Sequence, residues 1–143
     1  MTPDRLVEGA IFCSRRERLD AGECAWFAER FGSGEWPGTP DAAANAAGPK
    51  VTGWQLASIT MRLIVGGGLP VEGNLIGLEA AIEWDGAARV GNILWVRTEI
   101  LRITRPPTYP NAQLLKLRCS TFVEPERRVQ LMTARILVPG AGS

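Results

Sequence analysis

The stretch from Val51 to Val65 constrains the fold most, because it has the apolar spacing of a single helix. Thr52 is placed to cap its first turn, and Gly66-Gly67-Gly68 followed by Pro70 would end it. Its apolar residues cover two faces: Leu56, Ile59, Thr60, Leu63 and Ile64 on one, and Ala57, Met61 and Val65 on the other. A thin polar stripe remains: Gln55, Ser58 and Arg62. A helix that is apolar nearly all round is buried, so we expect a sheet to wrap around this one.

The chain before this helix carries weaker signals. Residues 9–13 are a candidate strand. Asp20 and Glu23 have the spacing of a capping box, which predicts a helix near 20–31. A turn-rich stretch follows, and residues 41–47 are a candidate short helix.

After Pro70 the apolar period changes from 3.6 to 2, which predicts strands. Residues 76–84 read as a half-buried strand, and the uneven alternation of 92–105 indicates a strand with a bulge. Two more strands are predicted, one alternating from Leu115 to Val123 and one from Met132 to Val138. A strand, helices, a long central helix and then about four antiparallel strands indicate an α+β fold with its sheet curled around that helix.

Length and composition limit the classes of function. A chain of 143 residues predicts one domain over 1–143, with residues 139–143 as a loose tail. The net charge of +1 gives no reason to expect nucleic acid or a membrane surface as partner. Three cysteines without metal-type spacing are read as reduced thiols of a cytoplasmic protein, with Cys119 packed in the core. We expect no signal peptide and no membrane span, since no apolar run is long enough.

The chain contains no histidine. This excludes Ser-His and Cys-His nucleophiles and Asp-His dyads within one copy, and it removes the commonest metal ligand. Acid–base chemistry near neutral pH would have to come from a carboxylate, a tyrosine, a cysteine, a lysine or bound water. We therefore expect no metal site and no cofactor.

Three stretches resemble the MaoC-like acyl dehydratase / (R)-specific enoyl-CoA hydratase family. They are Thr52-Gly53-Trp54 with Met61-Arg62-Leu63 further along the helix, Ile76-Gly77-Leu78 with Trp84 and Arg89-Val90-Gly91-Asn92, and Trp26-Phe27-Ala28 in the first helix. The resemblance implies a hot-dog fold, in which a curved antiparallel sheet surrounds the helix near 53–65. It also implies a dimer or higher assembly, for which strands 92–105 and 112–123 are long enough to offer an edge.

The family's catalytic residues are not matched. The family has an Asp and a His about five residues apart, just before a further Asp. When that further Asp is set on Asp41, Thr39 occupies the His position and Gly34 the Asp position. The family's Asp after the glycine is Asn92 here. The resemblance therefore implies the fold but not the usual hydration chemistry.

Gly53 is the main site candidate, because N–H groups and the helix dipole at the start of a helix polarise a carbonyl, and the resemblance places the thioester there. The alternative is that Gly53 only allows tight packing. The other substrate-binding candidates are Thr52, Trp54, Trp36 and Arg89. The tryptophans could equally be core residues. Arg89, with Arg97, Arg102 and Arg105, could meet CoA phosphates or form ordinary surface pairs. Arg62, on a buried helix, needs an acidic partner such as a strand glutamate.

Glu35 and Asp41 are the candidate catalytic groups, because they are the only carboxylates between the first helix and the central one. Either could instead be a solvated charge or a helix cap. Three functions remain open: an acyl-thioester-binding protein without the Asp/His pair, a thioesterase that uses a lone carboxylate, and an unconventional enoyl-CoA hydratase with Glu35 as base. The expected partners are an acyl-CoA or acyl carrier thioester, and a second copy or a catalytic homologue.

Overall fold

The computed structural model describes residues 6–31, 49–71 and 75–139. Two helices are found, α1 at Ala21–Phe31 and α2 at Gly53–Leu63. The strands are β1 at Ile11–Cys13, β2 at Glu17–Arg18, β3 at Ile76–Glu83, β4 at Ile93–Thr104, β5 at Ala112–Val123 and β6 at Arg127–Pro139. This order of elements confirms the predicted α+β arrangement. The two-residue β2 was not predicted, and the candidate helix at 41–47 lies outside the described residues.

All six strands form one antiparallel sheet in the order β1-β4-β5-β6-β3, and β2 also pairs with β4. The predicted bulge in β4 is present between Ile100 and Arg102. The expectation that β5 offers an edge is wrong, because β5 lies between β4 and β6. The outer side of β4 is paired in part, with β2 at residues 93–94 and with β1 at residues 97–99. Within the described strands, β3 forms one edge of the sheet.

Helix α2 begins as its sequence predicts, and its inner face packs as predicted. The Thr52 hydroxyl accepts a hydrogen bond from the Gln55 N–H at 3.1 Å, so Thr52 caps the first turn. The predicted inner face is buried: Leu56, Ile59, Thr60, Leu63 and Ile64. The chain then leaves the helix through a wide turn at Ile64–Gly68, where Gly67 has a φ of 118° that favours glycine. None of the helices within the described ranges is long and apolar enough to cross a membrane.

The opposite face of α2 contradicts the expectation that the helix is buried nearly all round. Trp54 is 67% exposed, Met61 39% and Val65 53%. Strand β3 was predicted to be half-buried, yet Ile76 and Leu78 are 46% and 51% exposed and only Ile82 is partly buried. The sheet wraps one side of α2 and leaves the other side and the β3 edge uncovered in a single copy.

Helix α1 is fixed to α2 by polar contacts. Asp20 caps α1 by accepting from the Glu23 N–H at 2.8 Å, as predicted, but the Glu23 side chain does not reach back. Its carboxylate accepts from Arg62 at 2.7 Å, and Arg62 also pairs with Glu17 on β2. These pairs confirm the expected acidic partners of Arg62, one of which is a strand glutamate. Gln55, which we placed on the polar stripe, is buried and donates to the Cys24 Sγ at 3.4 Å.

The three cysteines are free thiols, as expected. Cys119 is fully buried among core residues, and burial raises the pKa of its thiol to about 11. Cys119 is therefore an inert packing residue rather than a nucleophile.

Candidate functional site

The start of α2 presents two backbone donors. Thr52 satisfies the Gln55 N–H through its hydroxyl and the Leu56 N–H through its carbonyl, at 3.1 Å each. The N–H groups of Gly53 and Trp54 precede the first intrahelical bond, and in the described part of the chain neither has an acceptor. These donors and the helix dipole together favour a carbonyl oxygen or an anion at this end.

The indole of Trp84 lies directly against Gly53. A Cβ atom added at Gly53 would lie 2.5 Å from Trp84 Cδ2 and 2.8 Å from its Cζ2, which is closer than atoms in ordinary contact approach. Close packing against Trp84 is therefore one reason for a glycine at this position, whether or not the site binds a ligand. Trp54 meets Trp84 edge to face, with ring centroids 5.3 Å apart. The two indoles form an aromatic pair beside the free donors.

A buried polar cluster holds Trp84 in place. The Trp84 Nε1–H donates to Gln130 Oε1 at 2.8 Å, and Gln130 Nε2 donates to Thr60 Oγ1 at 2.9 Å. The hydroxyl oxygens of Thr60 and Thr121 are 2.7 Å apart. The cluster thus links the Trp84 ring to α2, β5 and β6, and its hydrogen bonds offset the cost of burying polar atoms.

Sequence reasoning missed this cluster, although a signal for it was present. Gln130 lies two residues before Met132, in the same alternating set as Ala134, so the β6 pattern already directs it toward the core. Thr121 falls in the inward set of β5 in the same way. Polar residues at inward strand positions therefore predict a buried network.

The structure brings together four of the predicted site residues. Thr52, Gly53 and Trp54 are consecutive, and residues 49–51 that precede them run beside residues 88–90. The Val51 N–H donates to the Ala88 carbonyl at 2.8 Å, and the Val90 N–H donates to the Pro49 carbonyl at 3.0 Å. Arg89 thus lies next to the segment that leads into α2. Glu35, Trp36 and Asp41 lie outside the described residues.

Asn92 has a structural role at the position of the family's aspartate. Its side-chain oxygen accepts from the Arg89 N–H at 2.8 Å and closes the turn before β4. This contact fixes the segment beside the start of α2, and an amide oxygen suffices for it.

A separate depression of about 410 Å³ is lined by Glu8, Leu101, Arg102 and Lys116. None of these residues belongs to α2, β3 or the aromatic pair, so the depression is distinct from the candidate site. Across 6–31, 49–71 and 75–139, no three carboxylate or thiol side chains are grouped to hold a metal ion.

Comparison with known proteins finds similarity among solved structures. The chain is 30% identical to a MaoC-like dehydratase from Rhodospirillum rubrum, with 97% of each chain covered and a TM-score of 0.82. No protein-family profile matches the chain, and no curated protein sequence matches it.

Two more distant structures show the fold alone. The HadBC (3R-hydroxyacyl-ACP dehydratase) complex from Mycobacterium tuberculosis is 13% identical, with 92% and 96% of the two chains covered and a TM-score of 0.69. RV0216 from the same organism has a double hot-dog fold and is 21% identical, with a TM-score of 0.72. The match includes 97% of this chain and 44% of RV0216. The predicted hot-dog fold is confirmed.

Proposed function

Because this chain belongs to the MaoC-like dehydratase family, we propose that it binds an acyl thioester, carried by CoA or by an acyl carrier protein, at the start of α2. The observation that supports the proposal is the pair of N–H donors at Gly53 and Trp54, which lie beside the aromatic pair of Trp54 and Trp84. A thioester carbonyl at this position would accept from the donors. The indoles would contact the apolar part of the ligand.

We further propose that the protein does not perform hydration by the family's Asp/His chemistry. One copy contains no histidine, so no imidazole is available to move a proton to or from the substrate. Binding without hydration by that route is therefore proposed, because polarising a carbonyl does not add water to a double bond unless a base activates the water.

A second copy or a histidine-bearing homologue is the proposed protein partner. The exposed apolar residues on α2, on the turn after it and on β3 support this proposal: Trp54, Met61, Val65, Ile76 and Leu78. A sheet edge with unpaired backbone groups and apolar side chains favours pairing with another chain. The HadBC structure is a complex, which makes a mixed assembly a reasonable form for this chain as well.

Titration calorimetry with crotonyl-CoA and butyryl-CoA tests the proposal, together with a spectrophotometric assay for hydration and a thiol assay for CoA release. We expect binding with neither reaction. If crotonyl-CoA is hydrated, the non-catalytic part of the proposal is wrong, and loss of that activity in Glu35→Ala would identify the base. CoA release that is lost in Glu35→Ala or Asp41→Ala would identify a thioesterase. The absence of binding heat with any acyl-CoA or acyl carrier protein would overturn the proposal.

A further inference from the structure

We infer that Trp84 limits the length of the acyl group accepted beside Gly53, so that this site takes short acyl thioesters. The inference rests on the proposed function, because it concerns the same site. It adds a substrate class and names the residue that determines it.

The first argument is the position of the Trp84 ring. The ring lies on the backbone of Gly53, so closely that no side chain fits between them. An acyl group whose carbonyl meets the N–H of Gly53 therefore has the indole as its nearest wall. Trp84 is 40% exposed, so part of the ring surface is open to a ligand.

The second argument is that the ring is held in place. Its N–H donates to Gln130, which is 0% exposed and is itself bonded to Thr60. Moving the indole aside would break the bond to Gln130 and leave a buried amide oxygen without a donor, which is costly in a core. The wall therefore resists displacement more strongly than an indole held by packing alone.

The third argument is that buried groups joined by hydrogen bonds lie beyond the ring, between α2 and the sheet. The hydroxyls of Thr60 on α2 and Thr121 on β5 meet between the helix and the sheet, and both residues are 0% exposed. Every buried side-chain nitrogen and oxygen atom in the described ranges has a hydrogen-bond partner. A long acyl chain could pass between α2 and the sheet only by separating this cluster, whereas a short one would end at the indole.

Calorimetric binding of an acyl-CoA series, from acetyl through butyryl and hexanoyl to octanoyl, tests the inference. For the native protein we expect octanoyl-CoA to bind about tenfold more weakly than butyryl-CoA, because the indole blocks the longer chain. In Trp84→Ala the wall is removed, and we expect octanoyl-CoA to bind at least as tightly as butyryl-CoA. Trp84→Phe keeps a smaller ring without the N–H and should give an intermediate preference, which provides a second variant if Trp84→Ala does not fold.

Trp26→Ala is the matched control, since Trp26 is an exposed indole on α1 and should leave the chain-length preference unchanged. Gln130→Leu tests the positioning role. It should shift the Trp84 indole N–H resonance in an NMR spectrum and relax the preference partly. If the native protein binds butyryl-CoA and octanoyl-CoA equally, or if Trp84→Ala keeps the native preference, the inference is overturned while the proposed function stands. Binding of no acyl-CoA and of no acyl carrier protein thioester would overturn both.

Discussion

At the residue scale, Gly53 combines a backbone donor with a packing contact that only a glycine allows. Its backbone N–H is one of two free donors at the start of α2, and its Cα surface is covered by the Trp84 ring. The Trp84 ring that contacts Gly53 donates a hydrogen bond to Gln130, and Gln130 donates one to Thr60. A single atom added at Gly53 would therefore disturb the packing and the candidate site together.

We expect Gly53→Ala to lower the free energy of unfolding by about 1–3 kcal/mol, because the new methyl group displaces the Trp84 ring. Urea unfolding followed by tryptophan fluorescence measures this. Gly66→Ala is the control, since a Cβ atom there meets only the guanidinium at the end of the exposed Arg15 side chain. Equal stability of the two variants would show that the ring moves aside at no cost.

We expect Thr60→Val to destabilise the protein by about 1–3 kcal/mol, because it removes a hydroxyl that accepts from buried Gln130 without changing the side-chain shape. Chemical denaturation of this variant is compared with that of Ser58→Ala, which removes an exposed hydroxyl from the same helix. The control should stay within about 0.5 kcal/mol of the native protein. A native-like Thr60→Val would mean that the cluster contributes nothing to stability.

At the element scale, ion pairs rather than apolar packing alone connect α1 to α2. Arg62, near the end of α2, contacts Glu23 on α1 and Glu17 on β2. The hydrogen bond from Arg62, followed by its positive charge, lowers the pKa of Glu23 below the usual 4.5. The same two carboxylates raise the pKa of Arg62, so Arg62 stays charged at every pH used below.

This pKa shift predicts how stability depends on pH. A carboxylate with a lowered pKa in the folded state stabilises the protein above its unfolded pKa, and that contribution is lost as pH falls through the folded pKa. We expect the free energy of unfolding of the native protein to exceed that of Glu23→Gln by up to about 1 kcal/mol at pH 7. The difference is small because the Glu23–Arg62 pair is partly exposed. The difference should shrink below about pH 4.5.

Thermal unfolding of the native protein and of Glu23→Gln from pH 7 to pH 3 measures this difference. The control repeats the Glu23→Gln substitution in a protein that already carries Arg62→Met. In that background Glu23→Gln should have a much smaller effect at pH 7, because its main partner is gone. An effect of Glu23→Gln that is unchanged by Arg62→Met would disprove the coupling.

The sequence predicted the elements well wherever apolar spacing decides the structure. Leu56, Ile59 and Leu63 identified the buried side of α2, and Met132, Ala134 and Ile136 identified that of β6. The two-residue β2 is too short to show any period. The partnership of Gln55 with Cys24 could not be read from spacing, because it depends on where α1 lies.

At the scale of the whole molecule, apolar spacing indicates which surfaces avoid water but not which chain covers them. This is why Met61, Val65 and the β3 residues were predicted to be buried and are exposed in a single copy. The order of the strands determines which of them forms an edge of the sheet. Strand lengths alone do not reveal that β4 and β5 lie inside it. The catalytic candidates Glu35 and Asp41 remain predictions.

We expect Leu78→Lys to weaken assembly through the β3 edge, because a charged side chain on an edge strand opposes pairing with another chain. Light scattering coupled to size exclusion should give twice the chain mass for the native protein and a shift toward the single-chain mass for the variant. Val7→Lys, at an equally exposed apolar residue before β1, should retain the native mass. A native protein that elutes as a single chain would contradict the proposed homodimer, and co-elution with a histidine-bearing homologue would then be the form to test.

The stretch from 32 to 48 is joined to the rest of the protein at two anchored points. On one side α1 is held by Arg62 and Gln55, and on the other Pro49 and Val51 are bonded to the segment before β4. Because both ends are fixed, the stretch between them is a suitable place to insert a segment from another protein. A stretch of the same length from a histidine-bearing family member could be grafted between the anchors, with the sequence of α2 and of the sheet left unchanged. We expect the chimera to gain crotonyl-CoA hydration, and a folded but inactive chimera would show that the rest of the protein lacks something the reaction needs.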